Sequence, residues 1–378
     1  TVAGVGAGEE EFRRVVPKEF YGLCAELEGF RATYKDENGN ARSFDREKME
    51  QLVRSCEGKD AVITQITRMK RQTPPPAAYD LTELQRDANR KYAYSAKETL
   101  NLMQSLYERH KALTYPRTDS RYISDDVVPT LPDRLRAVAQ GEYKELAWAV
   151  QRKKPLQTKY LVNNAKVTDH HAIIPTEEAA SLWELTGPEK NVYDLVVRRF
   201  LAVLMPPYEY EQISLTLKLG ERSFTASGKR VLDPGWKAAY DKNFSALEDE
   251  DAEAEEDQRL PDLQKGQRLR VRKLRLTTGK TSPPARYTEA TLLTAMEHPQ
   301  GQVADKNLQK ILQETSGLGT PATRADIIEK LFSSFYIERQ GKTLVPTSKG
   351  IQLVSLAPAE LRSAELTARW EDRLARIA

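Results

Sequence analysis

Two β-rich stretches flank a long helical one, and this interruption limits what the chain can fold into. Residues 13–77 combine strand-like runs such as FYGLCAELEGF and DAVITQITRMK with one helix, predicted from about Asp45 to Ser55. Strand character returns after residue 206 in ISLTLKLGERSFTASGKRVL, which alternates across a glycine turn. We therefore expect the two stretches to form one β-rich unit interrupted by a helical insertion, in a multidomain α+β chain.

The whole chain divides into five predicted segments. The helical stretch begins after TPPPAAYD with LTELQRDANRKY and SAKETLNLMQSLYERH, the second helix capped by Ser95, and further helices are expected at about 124–153 and 188–204. The predicted boundaries are a disordered or tag-like start at 1–12, a β-rich domain at 13–78 and 206–279, an inserted helical domain at 79–205, and a helical domain at 280–378.

Composition excludes several classes of protein. The chain has 378 residues, 39% of them hydrophobic, which is enough for more than one buried core. No apolar run approaches the roughly 20 residues that span a bilayer, and the start lacks a signal peptide, so we expect a cytoplasmic protein without a membrane partner. Cys24 and Cys56 form no CxxC pair, which indicates reduced thiols and no zinc module.

The charge is unevenly distributed. Eight acidic residues lie between Glu248 and Asp257, and this run predicts a solvated loop. Without these eight acids the formal net charge rises from +3 to +11, so the rest of the chain is basic enough to attract a polyanion. Basic runs such as KGQRLRVRKLRL equally suit a strand with one solvated face.

The final segment predicts a winged helix-turn-helix. YTEATLLTAMEH and ADKNLQKILQET read as helices, GLGT as a turn, and PATRADIIEKLFSSF as a helix with Thr320 as N-cap and Pro321 in its first turn. YIERQGKTLVPTSKG then predicts a hairpin. The pattern is typical of a DNA-binding module, although helix pairs with hairpins also occur in many other folds.

The most chemically suggestive stretch is ALTYPRTDSRYIS, residues 112–124. Tyr115 is either a packing residue or a nucleophile, and its neighbours favour the second interpretation. Pro116 presents the ring from a loop, Arg117 suits the oxygens and developing charge of a phosphoryl group, and Asp119 can accept a hydrogen bond from Arg117 and orient it. The stretch fits attack of a phenol on a phosphodiester.

A second polar cluster, VTDHHAIIPT, contains two of the four histidines. Adjacent histidines rarely serve one metal, since successive side chains diverge, so no metal site is predicted in this chain. His170 is either a surface histidine or a hydrogen-bond donor to a phosphate facing Tyr115.

These motifs together resemble a known family. ALTYPRTDSRYI, TDHHAIIPT, SPPARYTEATLLTAM, GLGTPATRADIIEKL and ELTARWEDRL are similar, in this order, to motifs of the type IA DNA topoisomerases, with the strongest likeness to bacterial topoisomerase III. The resemblance implies that Tyr115 forms a 5′-phosphotyrosyl link with single-stranded DNA, that Arg117 clamps the phosphate and that His170 assists. Among the matched motifs, DNA contacts are expected from the side chains of Asp119, Arg286, Tyr287, Thr323 and Arg324.

The resemblance also names the domains and what the chain lacks. It implies a β arch at 13–78 and 206–279 that hinges a gate, the catalytic domain at 79–205, and a helical DNA-binding domain from 280. The family's Toprim domain, which binds Mg²⁺, has no counterpart in the sequence. We therefore expect an excised, monomeric fragment that binds single-stranded DNA weakly and does not cleave it without the Toprim part of its own chain.

Three alternatives remain at this point. A tyrosine recombinase carries its nucleophile near the carboxyl end after an HxxR motif, and a relaxase carries histidines separated by one residue; neither pattern is present. The third is a non-catalytic DNA-binding or gate scaffold with the same fold.

Overall fold

The computed structural model describes residues 1–240, 258–313, 315 and 317–375. The predicted acidic loop at 248–257 lies outside them. The helices are α1 Val2–Arg14, α2 Arg46–Cys56, α3 Leu81–Tyr92, α4 Ala96–Glu108, α5 Leu131–Val138, α6 Lys144–Arg152, α7 Gly187–Val203, α8 Glu289–Glu297, α9 Lys306–Gln313, α10 Pro321–Ser333, α11 Ser348–Leu356 and α12 Glu365–Ala375. The strands are β1 Glu19–Glu26, β2 Arg31–Lys35, β3 Ala61–Thr73, β4 Tyr208–Leu219, β5 Arg222–Asp233, β6 Arg268–Leu269, β7 Lys273–Lys280, β8 Ile337–Gln340 and β9 Thr343–Pro346.

One antiparallel sheet joins strands from both β-rich stretches. Its seven strands lie in the order β6-β3-β4-β5-β2-β1-β7, so β1 to β3 of the first stretch pair with β4 to β7 of the second. The long β3 and β4 run side by side from Ala61 opposite Leu219 to Thr73 opposite Tyr208. The helical insertion therefore leaves the sheet after β3 and returns into β4, the strand that pairs with it.

Helix α2 covers the apolar side of this sheet. It begins where predicted, because the Asp45 side chain accepts a hydrogen bond from the Lys48 backbone N–H and caps the first turn. Met49, Leu52 and Cys56 are buried against Leu23 and the other core residues of the sheet. This core is separate from that of the helices.

The insertion and the carboxyl-terminal segment share a second core. Leu84 of α3, Met103 of α4 and Phe200 of α7 are almost completely buried, and Leu293 of α8 and Ile328 of α10 belong to the same cluster. The predicted helices, the Thr320 cap and the hairpin of β8 and β9 are all present in that segment. The insertion thus packs directly against the carboxyl-terminal segment.

Two local predictions differ from the structure. The start forms α1 rather than a disordered segment, because Val5 is buried in the helical core and Glu9 binds Arg286. The predicted helix over about 124–153 is divided into a 3-10 turn, α5 and α6; the break falls near Gly141, whose φ of +52° a helix does not accommodate. None of the described helices is long and apolar enough to cross a membrane.

Candidate active site

Backbone pairing fixes the position of Tyr115. After α4 the chain turns at Lys111, and residues 112–114 then pair antiparallel with 174–176. The Thr114 backbone N–H donates to the carbonyl of Ile174 at 3.0 Å, and the Thr114 hydroxyl donates to the carbonyl of Ala172 at 3.0 Å. The two motifs predicted to work together are therefore joined by hydrogen bonds immediately beside Tyr115.

This pairing brings Tyr115 and His170 into contact. Their ring centroids are 4.3 Å apart, and the ring planes are inclined by 37°. The Thr118 hydroxyl donates to the backbone carbonyl of His170 at 3.4 Å, and Thr118 is buried. Tyr115 is half-buried and His170 is exposed, so both rings are accessible from solvent.

Tyr107 is a third aromatic residue at this site, and it lies outside the predicted motifs. Its ring meets that of Tyr115 edge-to-face, with centroids 5.6 Å apart and planes at 84°. It lies on the last turn of α4, eight residues before Tyr115. The only signal in the sequence was an aromatic residue at the end of the preceding helix.

Arg117 points toward the carboxyl-terminal segment. Its guanidinium donates to the backbone carbonyl of Ala322, in the first turn of α10, at 3.2 Å. Asp119 instead accepts a hydrogen bond from Thr168 at 2.8 Å, and among the described residues no hydrogen bond joins Arg117 to Asp119. In this conformation the Arg117 guanidinium is bonded to Ala322 and one Asp119 oxygen to Thr168, so the expected contact between Asp119 and Arg117 is not formed.

Thr323 and Arg324 follow Ala322 and have different environments. Thr323 is exposed, and its hydroxyl accepts from the Thr320 backbone N–H at 2.9 Å in a capping box. Arg324 is 1% exposed; its guanidinium donates to the Thr82 hydroxyl and to the carbonyls of Leu318 and Gly319. Burial lowers the pKa of Arg324. Arg324 therefore positions the GLGT turn, whereas Thr323 faces solvent.

Arg286 and Tyr287 contact other parts of the molecule. The Arg286 guanidinium binds both carboxylate oxygens of Glu9, at 2.7 and 2.9 Å, and stacks over the Phe12 ring. The hydrogen bond from Arg286 lowers the pKa of Glu9. Tyr287 is half-buried, and its carbonyl accepts from the Leu344 N–H. These two residues anchor α1 and the hairpin; no contact of either with Tyr115 is among those described.

A buried charged network supports the loop that carries Tyr115. Arg121 donates to Asp80 at 2.9 Å and to Glu83 at 3.3 Å, while Arg86 binds Glu83 and reaches Glu297 of α8 at 2.6 Å. Burial opposes ionisation of Glu83, yet the surrounding arginines bring its pKa down to about 2. The network thus links α3, the tyrosine loop and α8.

No magnesium site is formed by the part of the chain that the structure describes. Among the described residues, no group of three or more histidine, cysteine, aspartate or glutamate side chains converges as metal ligands would. The site near Tyr115 instead brings together aromatic, imidazole and guanidinium groups.

Comparison with known proteins assigns the family. A family model described as DNA topoisomerase matches residues 1–378. The chain belongs to this DNA topoisomerase family. The DNA topoisomerases 3 of Bacillus cereus strain ATCC 14579 and Bacillus subtilis strain 168 are 49% and 48% identical to it, over 100% of this chain and 52% of theirs. The chain spans about half the length of these curated relatives.

A solved structure supports the same fold. Full-length topoisomerase I from Thermotoga maritima superposes with a TM-score of 0.72 at 22% identity, covering 100% of this chain and 58% of that one. The predicted likeness to type IA topoisomerases, and to topoisomerase III in particular, is confirmed. Membership of this family excludes the tyrosine recombinase and relaxase interpretations and does not favour the non-catalytic scaffold.

Proposed function

We propose that the chain carries the nucleophile of a type IA topoisomerase, and that Tyr115 cleaves and rejoins single-stranded DNA. The contact between the Tyr115 and His170 rings supports this most directly. The phenol oxygen of Tyr115 forms a bond to phosphorus as the P–O3′ bond breaks, leaving a 5′-phosphotyrosine and a 3′-hydroxyl. Attack of that hydroxyl restores the phosphodiester and frees the phenol.

Each neighbouring group has a role in this exchange. The phenol has a pKa of roughly 10 in water, so its proton must pass to an acceptor as the bond to phosphorus forms. His170 can donate to a non-bridging oxygen, and the Arg117 guanidinium stabilises the charge that develops on the phosphate. Thr323 contacts the strand in this proposal, which its exposure at the start of α10 supports. The proposal also includes DNA contacts by Asp119, Arg286 and Tyr287.

The proposed arrangement assigns each segment a task. Residues 13–78 and 206–279 form an arch, 79–205 the catalytic domain and 280–378 a DNA-binding domain. Passage of a second strand through the cleaved one gives relaxation and decatenation. In this proposal Mg²⁺ is held by a Toprim domain outside these 378 residues, and the complete enzyme is a monomer in the cytoplasm.

Covalent capture tests the proposal. The chain is incubated with a 3′-labelled single-stranded oligonucleotide and Mg²⁺, with and without a separately made Toprim domain, and then denatured. We expect label on the protein only with the added domain. The Tyr115→Phe variant should carry no label. The Tyr122→Phe variant, a matched change in the same loop, should carry as much label as the wild type. Covalent capture that persists in Tyr115→Phe contradicts the assignment of Tyr115 as the nucleophile. If neither the wild type nor any variant is labelled, the result favours the non-catalytic scaffold.

A further inference from the structure

The chain makes a strained turn just before the segment that carries Tyr115. Lys111 has a φ of +52°, in the left-handed region that residues with a Cβ rarely adopt. Such a conformation persists only where the surrounding structure holds it, and strained residues of this kind cluster at functional sites. Tyr115 follows closely in the sequence, so the contacts that hold Lys111 also set the direction of the segment that leads to the phenol.

Two hydrogen bonds hold the turn from its carboxyl side. The Ala112 backbone N–H donates to the carbonyl of Leu106 in α4 at 2.9 Å, and the Thr176 hydroxyl donates to the Lys111 carbonyl at 2.6 Å. The antiparallel pairing of residues 112–114 begins directly after these bonds. The side of the turn that faces α4 needs an anchor of its own.

The side chain of His110 supplies that anchor. It is 5% exposed, and its Nε2 atom lies 3.4 Å from a carboxylate oxygen of Glu189 on α7, whose side chain is 7% exposed. In the described part of the chain this Nε2 atom has no hydrogen-bond partner. The carboxylate is therefore the polar group that this edge of the imidazole faces.

Glu189 is itself held in place at the start of α7. One carboxylate oxygen accepts from the Thr186 backbone N–H at 2.8 Å, in the capping box of the helix, and the other accepts from the Ser105 hydroxyl of α4 at 2.6 Å. Burial raises the pKa of Glu189, but the hydrogen bonds from Ser105 and Thr186 outweigh burial and the pKa is lowered. The carboxylate is thus charged and fixed, and it attracts the nearby imidazole most strongly when the ring carries a proton.

The inward direction of His110 is not what its sequence neighbours show. Glu108, Arg109 and Lys111 are all exposed. An apolar side chain would fill the same space without removing a polar ring from water, whereas a buried imidazole edge without a hydrogen bond is unfavourable unless a charge compensates for it. This arrangement indicates a task beyond packing, and the strained turn next to it indicates which task.

We propose that His110 is a positioning residue for Tyr115, which through its contact with Glu189 holds the strained turn at Lys111 and so the direction in which the phenol is presented. In this proposal His110 touches no reacting atom and acts through the backbone of residues 111–114. The inference rests on the proposed function of Tyr115, because the direction of the phenol matters only where the phenol reacts.

Release of the turn should displace the Tyr115 ring. Without its anchor Lys111 relaxes toward a negative φ, and the start of the pairing at residues 112–114 shifts with it. The ring of Tyr115 then leaves its neighbours Tyr107 and His170, whose ring centroids lie 5.6 and 4.3 Å from its own. The expected loss in the rate of cleavage is about tenfold, comparable to the strain of one left-handed residue.

Amide hydrogen exchange of the free chain tests the hold on the turn. The amides of Ala112 and Thr114 are both hydrogen-bonded, and mass spectrometry follows the peptide that contains them. In His110→Gln, which keeps a polar side chain but cannot carry a charge, this peptide should exchange about tenfold faster. His298→Gln is the matched control and should exchange as the wild type does, because His298 also faces a glutamate, Glu297 at 3.5 Å, but is 58% exposed.

Single-turnover covalent capture with the Toprim domain added tests the effect on Tyr115. At saturating oligonucleotide His110→Gln should be about tenfold slower, with an unchanged half-saturating concentration. Glu189→Gln keeps an acceptor for the capping box and should be equally slow. The double variant should be no slower than either single variant, because both remove the same contact. A raised half-saturating concentration with an unchanged maximal rate assigns His110 to DNA binding and overturns the proposal.

Glycine at the turn separates positioning from a general loss of stability. Lys111→Gly adopts a positive φ without strain, so the turn no longer needs its anchor. Adding His110→Gln to Lys111→Gly should therefore lower the maximal rate by no more than about twofold and leave the exchange of the peptide unchanged. The same loss with lysine and with glycine at position 111, or no loss with either, overturns the proposal.

The two proposals fail in different ways. If the wild type is not captured covalently, the proposed function of Tyr115 fails, while hydrogen exchange still reports whether His110 holds the turn. If the wild type and His110→Gln are captured at the same rate, only the inference about His110 fails. Should His110→Gln not fold, Glu189→Gln carries the same comparison with and without Lys111→Gly.

Discussion

The aromatic rings of Tyr115 and His170 lie with their centroids 4.3 Å apart, although 54 residues separate them along the chain. Their contact depends on the short backbone pairing of residues 112–114 with 174–176 and on the buried Thr118, whose hydroxyl donates to the His170 carbonyl. The imidazole is thus held next to the phenol by its backbone. In the proposed reaction this contact would bring the His170 ring next to the phosphate that Tyr115 attacks.

Replacing His170 by alanine should slow cleavage without unfolding the protein. Because His170 is exposed, its ring contributes little to the core, while loss of one donor to a developing charge typically costs about 10²-fold in rate. The measurement is single-turnover covalent capture with the Toprim domain added. His171→Ala, which removes the adjacent imidazole, is the control and should stay within a few-fold of wild type; an equal loss in both variants contradicts a specific role.

Tyr107 should position the Tyr115 ring. An edge-to-face aromatic pair contributes about 1 kcal/mol beyond burial, so Tyr107→Leu should reduce the rate of capture about fivefold at saturating oligonucleotide. Tyr107→Phe keeps the ring and should capture at the wild-type rate. If the phenylalanine variant is as slow as the leucine variant, the Tyr107 hydroxyl matters and the ring contact does not explain the effect.

The sequence predicts local features of this fold better than its side-chain contacts. Asp45, Ser95 and Thr320 begin helices where their capping chemistry predicts, because a cap depends on neighbours three residues away. The partner of Arg117 was not predictable in this way. Its hydrogen bond to Ala322 crosses 205 residues and depends on how the insertion packs against the carboxyl-terminal segment.

The structure at the start of the chain also depends on contacts with residues far away in the sequence. α1 begins with small residues, which suggests disorder. However, Val5 is buried in the helical core, and Glu9 binds Arg286, which is 277 residues away. The resemblance of the motifs predicted the family correctly. It did not show that Arg324, in the same motif as the exposed Thr323, is buried beneath the turn.

Arg324 should contribute mainly to folding. In Arg324→Met the Thr82 hydroxyl and the carbonyls of Leu318 and Gly319 lose a charged donor inside the protein, which we expect to lower the free energy of unfolding by about 3 kcal/mol. Thr323→Ala removes only a capping contact and should cost about 1 kcal/mol. Urea denaturation followed by circular dichroism gives both values. Unchanged stability with lost DNA affinity in Arg324→Met would assign it a direct DNA contact.

Glu83 should make stability depend on pH in a defined window. Burial raises its pKa, but Arg86, Arg121 and Arg199 outweigh burial and hold the pKa at about 2, below the ordinary value of 4.5. A depressed carboxyl pKa stabilises the folded state above pH 4.5, and this contribution is lost as the pH falls toward 2. A shift of this size corresponds to about 3 kcal/mol.

Comparison with Glu83→Gln isolates this contribution. Asp80 and Glu297 face the same arginines and are present in both proteins, so the difference in the free energy of unfolding reports on Glu83. Urea denaturation at a series of pH values should show the wild type more stable by a constant amount from pH 7 to pH 5. The advantage should then narrow steadily toward pH 3, because protonation of the glutamate removes its attraction to the arginines. An advantage that persists undiminished at pH 3 would show that Glu83 acts through packing and hydrogen bonding rather than through its charge.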